Sequence, residues 1–371
     1  MKKHRKHAKL IRRNYGNYAV DEIAFLGVNC TVISDLVQNI SDRLPKNSKL
    51  AYLDASHNKE IIAPIVDAFT FHSSGNLTST TAVEMNRYND KIQFSKYDLV
   101  FINGNHYQGE QQILILDNDK EASVLKRIDQ LNNIQFLIKR NDDSRIFDFL
   151  IEKYPGIKNL KVYSIDDLDN ISIHINAIMQ QKIAPIQGLV LAGGKSVRMG
   201  TDKGLLNYYG KSQRDYAIEL LEKLNLKTFL SVRKEQNITD KSTVEDVFLG
   251  LGPFGAICSA FQSDPNTAWM VLATDLPYVD EKVIKLLLEK RNPTKIATAI
   301  KGKGKQFPEP LITIWEPKAY PILLNYLTLG ISCPRKVLIN NDVEIVEIED
   351  DFIINVNTPK EFDEVKKNLN D

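Results

Sequence analysis

Short apolar runs recur along the whole chain, and each is followed by sequence in which apolar residues return with helical spacing. The runs are dominated by Val, Ile and Leu, as in parallel strands that are buried on both faces. Strand-like runs that alternate with helix-like segments are typical of the α/β class, in which helices cover a parallel sheet. The predicted strands are Ile23–Gly27, Leu50–Leu53, Leu99–Asn103, Gln112–Asp117, Ile134–Lys139, Leu160–Tyr163, Ile186–Leu191, Thr228–Val232, Trp269–Ala273, Lys295–Ile300 and Val343–Ile348.

The pattern divides near the middle of the chain. The 371 residues provide enough sequence for two domains of ordinary size. Asn170–Lys182 has apolar residues at helical spacing, and Ala184–Pro185 ends the predicted helix because proline cannot continue a helix interior. We therefore expect an N-terminal tail over residues 1–19 and two three-layer α/β/α domains, over residues 20–183 and 184–371.

Charge is distributed unevenly along the chain, although its formal net value is only +1. The first 20 residues carry seven Lys and Arg and no acidic residue, whereas the rest of the chain carries 41 basic and 47 acidic groups. No apolar stretch of ~7–15 residues follows the basic residues, so we expect no secretion signal and a solvated terminus without a nucleic-acid role. No run approaches the ~18–20 apolar residues of a membrane span, and no membrane contact is expected.

Cysteine and histidine narrow the expected chemistry. Cys30, Cys258 and Cys333 are far apart and odd in number, which favours a reduced, cytoplasmic protein over a disulfide framework. All six histidines precede residue 184, whereas 12 of the 18 glycines follow it. The second half therefore suits chemistry that uses a metal, lysine and backbone amides instead of an imidazole base.

A glycine pair after a buried strand opens the most informative segment of the chain. The strand ends at Leu191 and runs almost directly into Gly193–Gly194, and glycines let successive backbone N–H groups converge on an anion. The full P-loop spacing, Gly-x4-Gly-Lys-Ser/Thr, is absent. Side chains suited to a polyphosphate follow at Lys195, Ser196, Arg198 and Lys203.

A carboxylate stands at a second strand end. Asp275 follows the apolar strand Trp269–Ala273, at the edge of the sheet where open α/β proteins bind their ligands, and Pro277 comes two residues later. A triphosphate site needs an oxygen ligand for Mg²⁺. We therefore predict that Asp275 is a metal ligand and not only a turn cap.

Residues 191–203 resemble the signature of the MobA-type nucleotidyltransferases, the molybdenum cofactor guanylyltransferases. That signature reads Leu-Ala-Gly-Gly-x-Ser-x-Arg-Met-Gly-x-Asp-Lys, and every fixed position is present here. The similarity extends over about residues 186–371. Three further segments resemble family motifs: Asp246 with Gly252–Gly255, Val271–Pro277, and Phe352–Pro359.

The resemblance implies a Rossmann-like nucleotidyltransferase that joins GMP from GTP to the phosphate of molybdopterin and releases pyrophosphate, with Mg²⁺ as cofactor. It implies catalytic roles for Arg198, Lys203 and Asp275, with Asp275 on the metal, and it implies molybdoenzymes or other cofactor-synthesis proteins as partners. The implied nucleotide contacts are Leu191, Ala192, Gly193, Gly194, Lys195, Ser196, Lys203, Ser231, Asp246 and Asp275. The implied acceptor contacts are Lys305, Pro310, Arg335, Asn355 and Asn357.

Two positions depart from the family pattern. The family's Gly-Pro-Leu-Ala-Gly loop ends in glycine, whereas Ala256 stands there and Gly255 lies one position earlier, so a loop that needs a positive φ must be reshaped. Ser231 stands near the place of a family asparagine and offers fewer hydrogen-bonding groups. For Asp246 a turn-capping role is the alternative to a nucleotide contact. Lys301–Lys305 is either a solvated hairpin tip or a basic loop that clasps a phosphorylated acceptor.

The first half resembles MobB, the P-loop partner of MobA, in the order of its elements. Its P-loop residues are missing, because no lysine lies between Gly27 and Lys46, and we expect a degenerate P-loop fold that has lost triphosphate hydrolysis. Polar residues follow several predicted strands and either bind a ligand or satisfy one another. They are Asp54, His57, Asn103, Asn105 and His106.

Two alternatives to guanylyl transfer remain open from the sequence. One is a cytidylyltransferase or another sugar- or alcohol-phosphate nucleotidyltransferase, although Gly193–Gly194 favours guanine because the cytidylyl relatives have Leu-Ala-Ala-Gly. The other is a non-catalytic protein that binds the molybdenum cofactor and delivers it to molybdoenzymes.

Overall fold

The computed structural model describes residues 9–56, 66–81, 86–192 and 203–370. Contacts between Cα atoms divide the chain into two compact units. The N-terminal unit is Tyr15–Lys182, and the C-terminal unit is Ile183–Asp371 together with the N-terminal residues 9–14. The predicted domain boundary near residue 184 lies close to this division between Lys182 and Ile183.

The N-terminal unit is built on a six-stranded sheet in which every pairing is parallel. Its strand order is β2-β5-β1-β6-β7-β8, with the first strand inside the sheet. Two further strands, β3 and β4, form a separate exposed antiparallel hairpin. The strands are β1 (Glu22–Leu26), β2 (Leu50–Leu53), β3 (Ala68–Phe71), β4 (Leu77–Thr80), β5 (Leu99–Asn103), β6 (Gln111–Leu116), β7 (Ile134–Lys139) and β8 (Val162–Ser164).

Helices cover both faces of this sheet because successive side chains of each buried strand point to opposite faces. In β1, Phe25 packs with α1 and α5, whereas Leu26 packs with residues of α3 and α4 on the other face. The N-terminal unit is therefore a three-layer α/β/α structure, as predicted. Its helices are α1 (Cys30–Ser41), α2 (Arg87–Phe94), α3 (Glu121–Leu125), α4 (Asp148–Lys153) and α5 (Leu168–Gln181).

The C-terminal unit is built on a seven-stranded sheet of order β11-β10-β9-β12-β14-β13-β15. Helices again lie on both faces: Met270 of β12 packs on the side of α6 and α8, and Val271 packs on the side of α7 and α9. The strands are β9 (Ile186–Leu191), β10 (Thr228–Val232), β11 (Thr243–Glu245), β12 (Ala268–Ala273), β13 (Ala297–Gly302), β14 (Glu309–Trp315) and β15 (Glu344–Ile348). The helices are α6 (Gln213–Glu222), α7 (Pro253–Ser263), α8 (Glu281–Glu289), α9 (Ala319–Thr328), α10 (Pro334–Ile339) and α11 (Pro359–Asn370).

The predicted parallel sheet of the C-terminal unit also contains one antiparallel strand. Strand β14 is antiparallel to both β12 and β13, and it was not among the predicted strands. The chain reverses after β13 through the loop Lys303–Pro308 and returns beside it, so no helical crossover is needed. Apart from β14, the predicted strands missed the short β11 and the exposed hairpin β3–β4.

The N-terminal residues are partly packed, which differs from the expectation of a solvated terminus through residue 19. In the C-terminal unit, Asn14 N–H donates to Asn266 Oδ1 at 2.7 Å. In the N-terminal unit, Asn17, Tyr18 and Ala19 each donate a backbone N–H to the carboxylate of Glu22, at 2.7–2.9 Å. Ala19 and Glu22 are fully buried, so residues 17–19 belong to the fold and not to a tail.

Within the described ranges, we find no helix that is both long enough and apolar enough to cross a bilayer.

Candidate active site

Asp275 lies just beyond β12, a strand whose six residues are all buried next to β9 in the sheet. Its backbone carbonyl accepts a hydrogen bond from Val356 N–H at 2.9 Å, which joins the strand end to the segment before α11. Its side chain is 23% exposed. The carboxylate therefore sits at the sheet edge, mostly covered by protein but open on one side.

Lys203 and Asn357 meet this carboxylate from two other parts of the chain. Lys203 Nζ donates to Asn357 Oδ1 at 2.7 Å and lies 3.6 Å from Asp275 Oδ2. The lysine begins a 3₁₀ turn, Lys203–Leu205, and its side chain is 18% exposed. An ammonium group is thus held beside a carboxylate and an amide in a half-buried cleft, where charge interactions are screened less than in water.

The position of Asn357 follows from the start of α11. Thr358 and Glu361 form a reciprocal cap: Glu361 N–H donates to Thr358 Oγ1, and Glu361 Oε2 accepts from the N–H groups of Asn357 and Thr358 at 2.7 and 2.9 Å. These backbone hydrogen bonds lower the pKa of the Glu361 carboxyl. The segment Asn357–Pro359 is thereby fixed, and Asn357 is directed at Lys203.

Burial raises the pKa of the Asp275 carboxyl above its usual value, although the neighbouring ammonium of Lys203 opposes that shift. One carboxylate oxygen, Oδ1, is buried and accepts no hydrogen bond from the described residues. A buried oxygen without a partner is costly unless a ligand completes it. A hard divalent cation is such a ligand, and the chemistry of Asp275 fits one.

Glu309 is a second acidic group near Asp275, and it was not among the residues predicted from the sequence. It begins β14, is 8% exposed, and lies 3.2 Å from Arg335 through its Oε2. Burial raises the pKa of its carboxyl, Arg335 lowers it, and the negative charge of Asp275 adds to the rise. Its signal in the sequence was a lone glutamate at the start of an apolar run, which is too common to single out.

Tyr208 closes the site on the side of α11. Its ring is 5% exposed and meets the ring of Phe362 edge-on at 4.9 Å. Burial and the charge of Asp275 raise the pKa of its phenol, which therefore stays protonated. With Val356 and Val365 it forms a small apolar cluster beneath the cleft.

The strand ends on the other side of Asp275 are linked by backbone contacts. Ala192 N–H donates to the carbonyl of Ser231 at 3.3 Å, and Thr274 Oγ1 donates to the carbonyl of Leu191 at 3.3 Å. Gln236 Nε2 donates to the carbonyl of Ala192 at 3.0 Å and was not predicted as a site residue. Leu191, Ala192 and Ser231 are thus brought together, as expected for neighbouring strands β9 and β10.

Asp246 makes the turn-capping contact that was the alternative to a nucleotide role. Its Oδ1 accepts from Ser259 Oγ at 2.9 Å and from Phe248 N–H at 3.1 Å. Ser259 lies in α7, so its contact with Asp246 ties the loop to that helix, and the same hydroxyl is 2.7 Å from the carbonyl oxygen of Gly255 one turn earlier in α7. One carboxylate oxygen of Asp246 is therefore committed to local structure.

The loop before α7 explains the departure at Ala256. The positive φ values lie at Gly250 and Gly252, at 79° and 57°, and Ala256 lies inside α7. Gly255 is required for another reason, because a Cβ there would lie 2.2 Å from the carbonyl oxygen of Phe248. The loop therefore has the glycines it needs, and an alanine at 256 causes no strain.

Residues 188–343 match the family described as MobA-like NTP transferase domain. The C-terminal unit contains a MobA-like NTP transferase domain. The match covers the strand ends, Lys203, Asp275, Glu309 and Arg335, and it stops before Asn357.

Several proteins are similar to about half of the chain. A molybdenum cofactor biosynthesis bifunctional protein from Synechocystis sp. is 33% identical over 49% of this chain, and the similarity spans about half, 54%, of that protein. A probable molybdenum cofactor guanylyltransferase from Flavobacterium johnsoniae is 26% identical over 48% of this chain and 96% of that protein. The crystal structure of molybdopterin-guanine dinucleotide biosynthesis protein A from Archaeoglobus fulgidus is 22% identical over 50% of this chain and 98% of that one, with a TM-score of 0.43.

Apart from Leu191, Ala192, Ser231 and Asp246, the predicted site residues of the MobA-like domain fall into three groups in the structure. Lys203 contacts both Asp275 and Asn357, and Arg335 pairs with Glu309, whose carboxyl pKa is raised by the charge of Asp275. Pro310 is buried in β14, whereas Lys305 and Asn355 are exposed. The predicted anion loop lies outside the described residues: Gly193, Gly194, Lys195, Ser196 and Arg198.

No comparison confirms the expected resemblance of the N-terminal unit to MobB, and that part stays a prediction.

Proposed function

We propose that this protein is a molybdenum cofactor guanylyltransferase, which transfers GMP from GTP to the phosphate of molybdopterin and releases pyrophosphate. The names of the relatives from Synechocystis sp. and Flavobacterium johnsoniae support this assignment. The observation that carries it is Asp275, a strand-end carboxylate beside the ammonium of Lys203 with one buried oxygen that accepts no hydrogen bond from the described residues.

In the proposed reaction, an oxygen of the acceptor phosphate forms a bond to the α-phosphorus of GTP, and the bond from that phosphorus to the bridging oxygen breaks. The leaving group is pyrophosphate. The acceptor phosphate is already anionic at neutral pH, so the reaction needs no general base. The site therefore has to position two anions and neutralise their charge. Lys203 serves this role, supported by Asn357, which holds its ammonium at 2.7 Å.

Asp275 is the proposed ligand of a divalent cation, Mg²⁺, because its Oδ1 is a buried carboxylate oxygen that the described residues leave unpaired. When bound, Mg²⁺ supplies positive charge to the phosphate oxygens. Lys203 lies on the opposite oxygen of Asp275 and keeps the carboxylate oriented. Arg198, outside the described residues, is proposed to neutralise the same phosphates.

We propose that the nucleotide is held by the backbone at Leu191 and Ala192, by the loop Gly193–Ser196, and by Ser231 and Asp246. Leu191, Ala192 and Ser231 lie at adjacent strand ends, which supports a common binding edge. The carbonyl of Ala192 already accepts from Gln236, and a bound base has to share or replace that hydrogen bond.

The acceptor is proposed to bind on the side of Arg335. This arginine is 47% exposed and its guanidinium lies beside the buried Glu309, so the fork remains open to a phosphate on its other edge. Asn357 and Pro310 flank the cleft through Lys203 and β14, and Lys305 and Asn355 offer exposed polar groups.

The test is pyrophosphate release by the purified full chain with GTP, Mg²⁺ and molybdopterin. We expect release with the natural chain and with D240N, which changes an exposed aspartate, and none above background with D275N. Release by D275N at the natural rate would contradict the mechanism. Release with CTP in preference to GTP would instead identify a cytidylyltransferase.

A further inference from the structure

Three chemically different side chains meet at one edge of the parallel sheet in the N-terminal unit. Cys30 is the first residue of α1 and follows β1, Asp54 follows β2, and His106 lies three residues beyond the end of β5. Strands β2, β5 and β1 are neighbours, so their carboxyl ends deliver these residues to the same place.

The ligand atoms of the three side chains converge. Cys30 Sγ lies 3.2 Å from His106 Nε2, and His106 Nε2 lies 3.9 Å from Asp54 Oδ1. All three atoms lie within 4.8 Å of one another. Ligands about 2.0–2.3 Å from a tetrahedral zinc ion are spaced roughly 3.5 Å apart, and the observed distances bracket that spacing.

The direction of the histidine ring separates a metal site from a cysteine nucleophile. In a Cys-His-Asp arrangement for nucleophilic catalysis, the cysteine faces one ring nitrogen and the carboxylate orients the other. Here Cys30 and Asp54 both approach Nε2 of His106. When a sulfur and a carboxylate both face the same ring nitrogen, the three atoms are arranged as ligands around a common point.

Hydrogen bonds hold the carboxylate of Asp54 in place. Its Oδ1 accepts from Asn103 Nδ2 at 2.8 Å and from Ala55 N–H at 2.7 Å, and its Oδ2 accepts from the phenol of Tyr52 at 2.8 Å. Such outer hydrogen bonds orient the ligands of protein metal sites.

The loop that carries His106 is held as well. Asn105 Nδ2 donates to the carbonyl of Val28, two residues before α1 begins, and its own N–H donates to Asn103 Oδ1. The segment with His106 is thereby tied to the segment with Cys30, so the three ligand atoms are positioned by the fold.

We propose that Cys30, Asp54 and His106 bind a zinc ion in the N-terminal unit. A thiolate and an imidazole select a borderline metal, in contrast to the oxygen ligand offered by Asp275 in the other unit. Three protein ligands leave a fourth position of a tetrahedral ion for water or a bound anion. The side chains of His106 and Asp54 are 21% and 28% exposed, so that position can be reached from solvent.

The proposal is independent of the guanylyltransferase reaction, and its test uses metal binding alone. The full chain is stripped with chelator and titrated with Zn²⁺ and with Co²⁺, whose bond to a thiolate gives a charge-transfer absorption. We expect about one Zn²⁺ per chain and a Co²⁺–thiolate absorption that Zn²⁺ displaces. A chain that binds neither metal, or binds Co²⁺ without the thiolate absorption, overturns the proposal.

Variants then assign the ligands. C30S is expected to abolish the thiolate absorption and H106Q to lower zinc affinity at least tenfold, whereas the matched controls C333S and H72Q, both at exposed positions, leave both readouts unchanged. Loss of the absorption in C333S, or its retention in C30S, contradicts the assignment.

A milder variant covers the case in which C30S fails to fold. Y52F removes the phenol hydroxyl that donates to Asp54 and keeps the ring, and we expect about tenfold weaker zinc binding. The rise in melting temperature on adding Zn²⁺ provides the second readout, and an equal rise in Y52F and the natural chain contradicts the role given to Asp54.

Discussion

The ammonium nitrogen of Lys203 lies 3.6 Å from the carboxylate of Asp275, although the two residues belong to separate elements far apart in the sequence. Despite this neighbour, burial raises the pKa of the Asp275 carboxyl, and its second oxygen accepts no hydrogen bond from the described residues. The ion pair therefore leaves the carboxylate incompletely satisfied. That is the state expected of a residue kept for a cation and for anionic substrates.

Replacing Asp275 with asparagine should separate stability from activity. A carboxyl whose pKa is raised on folding contributes stability that is present at low pH and is lost as the pH rises through the folded pKa. At neutral pH without metal, the ionised carboxylate is therefore a cost, and D275N should melt at a higher temperature than the natural chain. Its rate of GMP transfer should fall by about 10²–10³-fold or more. Melting in chelator and pyrophosphate release measure the two effects, and a lower melting temperature would contradict the first.

Removing the charge of Lys203 should affect the rate more than the fold. In K203M the apolar stem is kept, but the ammonium that faces Asp275 and Asn357 is lost. We expect kcat to fall by about 10²–10³-fold, the usual effect of deleting one group that stabilises the transition state. K234M, which changes an exposed lysine, is the control and should behave as the natural chain does. A normal kcat in K203M would remove Lys203 from the mechanism.

Arg335 is predicted to act on the acceptor and not on the nucleotide. Its guanidinium pairs with the buried Glu309 and is open to solvent on its other side. R335Q should raise KM for molybdopterin by about tenfold, the loss of one charge-assisted contact, while KM for GTP stays unchanged. K336Q, at the adjacent exposed residue, is the control. Equal changes in both KM values would indicate a structural role for the Glu309–Arg335 pair.

Gly255 should be less tolerant of substitution than its position inside a helix suggests. A Cβ at residue 255 would lie 2.2 Å from the carbonyl oxygen of Phe248, so G255A must displace the loop and should destabilise the protein by about 1–3 kcal/mol. A256G, the adjacent change, restores the family's glycine and should cost about 1 kcal/mol of helix propensity. Urea unfolding compares the two, and equal losses would contradict the steric argument.

Asp21 should make stability depend on pH in the N-terminal unit. It is 3% exposed, and burial raises the pKa of its carboxyl to about 6, although Lys182 and the hydrogen bond from Gln111 oppose the rise and Glu110 adds to it. Its contribution to stability is complete below about pH 4, where the unfolded carboxyl is also protonated, and is lost as the pH rises through about 6.

The matching variant is D21N, which still accepts the hydrogen bond from Gln111 Nε2. Because its side chain does not ionise, D21N should be more stable than the natural chain by about 1–3 kcal/mol at pH 8, and the difference should shrink below about pH 5. D142N, at an exposed aspartate, should show neither effect. A stability gain in D21N that is constant from pH 4 to pH 8 would contradict the role of burial.

Much of the fold could be predicted because a buried strand is recognisable from its own run of apolar residues. The runs at Leu99–Asn103 and Thr228–Val232 are strands with the predicted bounds and are buried along almost their whole length, and burial on both faces selects continuous apolar residues. Strand β14 was missed because it follows a polar loop and begins with a glutamate and a proline. The direction of β14 depends on the path of the preceding loop, and the spacing of apolar residues does not predict that path.

Within the site, the sequence pointed to Lys203 and Asp275 because each stands in a motif whose local composition suits phosphate or metal. Glu309 and Gln236 were not predicted as site residues, because a single glutamate or glutamine has no distinctive local sequence pattern. Their importance arises from neighbours in space: Arg335 and Asp275 for Glu309, and the end of β9 for Gln236.

The sequence by itself determined the class of both units, the order of most of their strands along the chain, and a MobA-like segment with the residues that we predict to bind phosphate. Only the tertiary structure decided that Lys203, Asp275 and Asn357 meet, that β14 runs antiparallel, and that Cys30, Asp54 and His106 converge. The physical reason is that apolar periodicity records whether a residue is buried. Strand ends become neighbours through pairing between segments that are distant in sequence. That pairing brings the polar side chains of the candidate sites together.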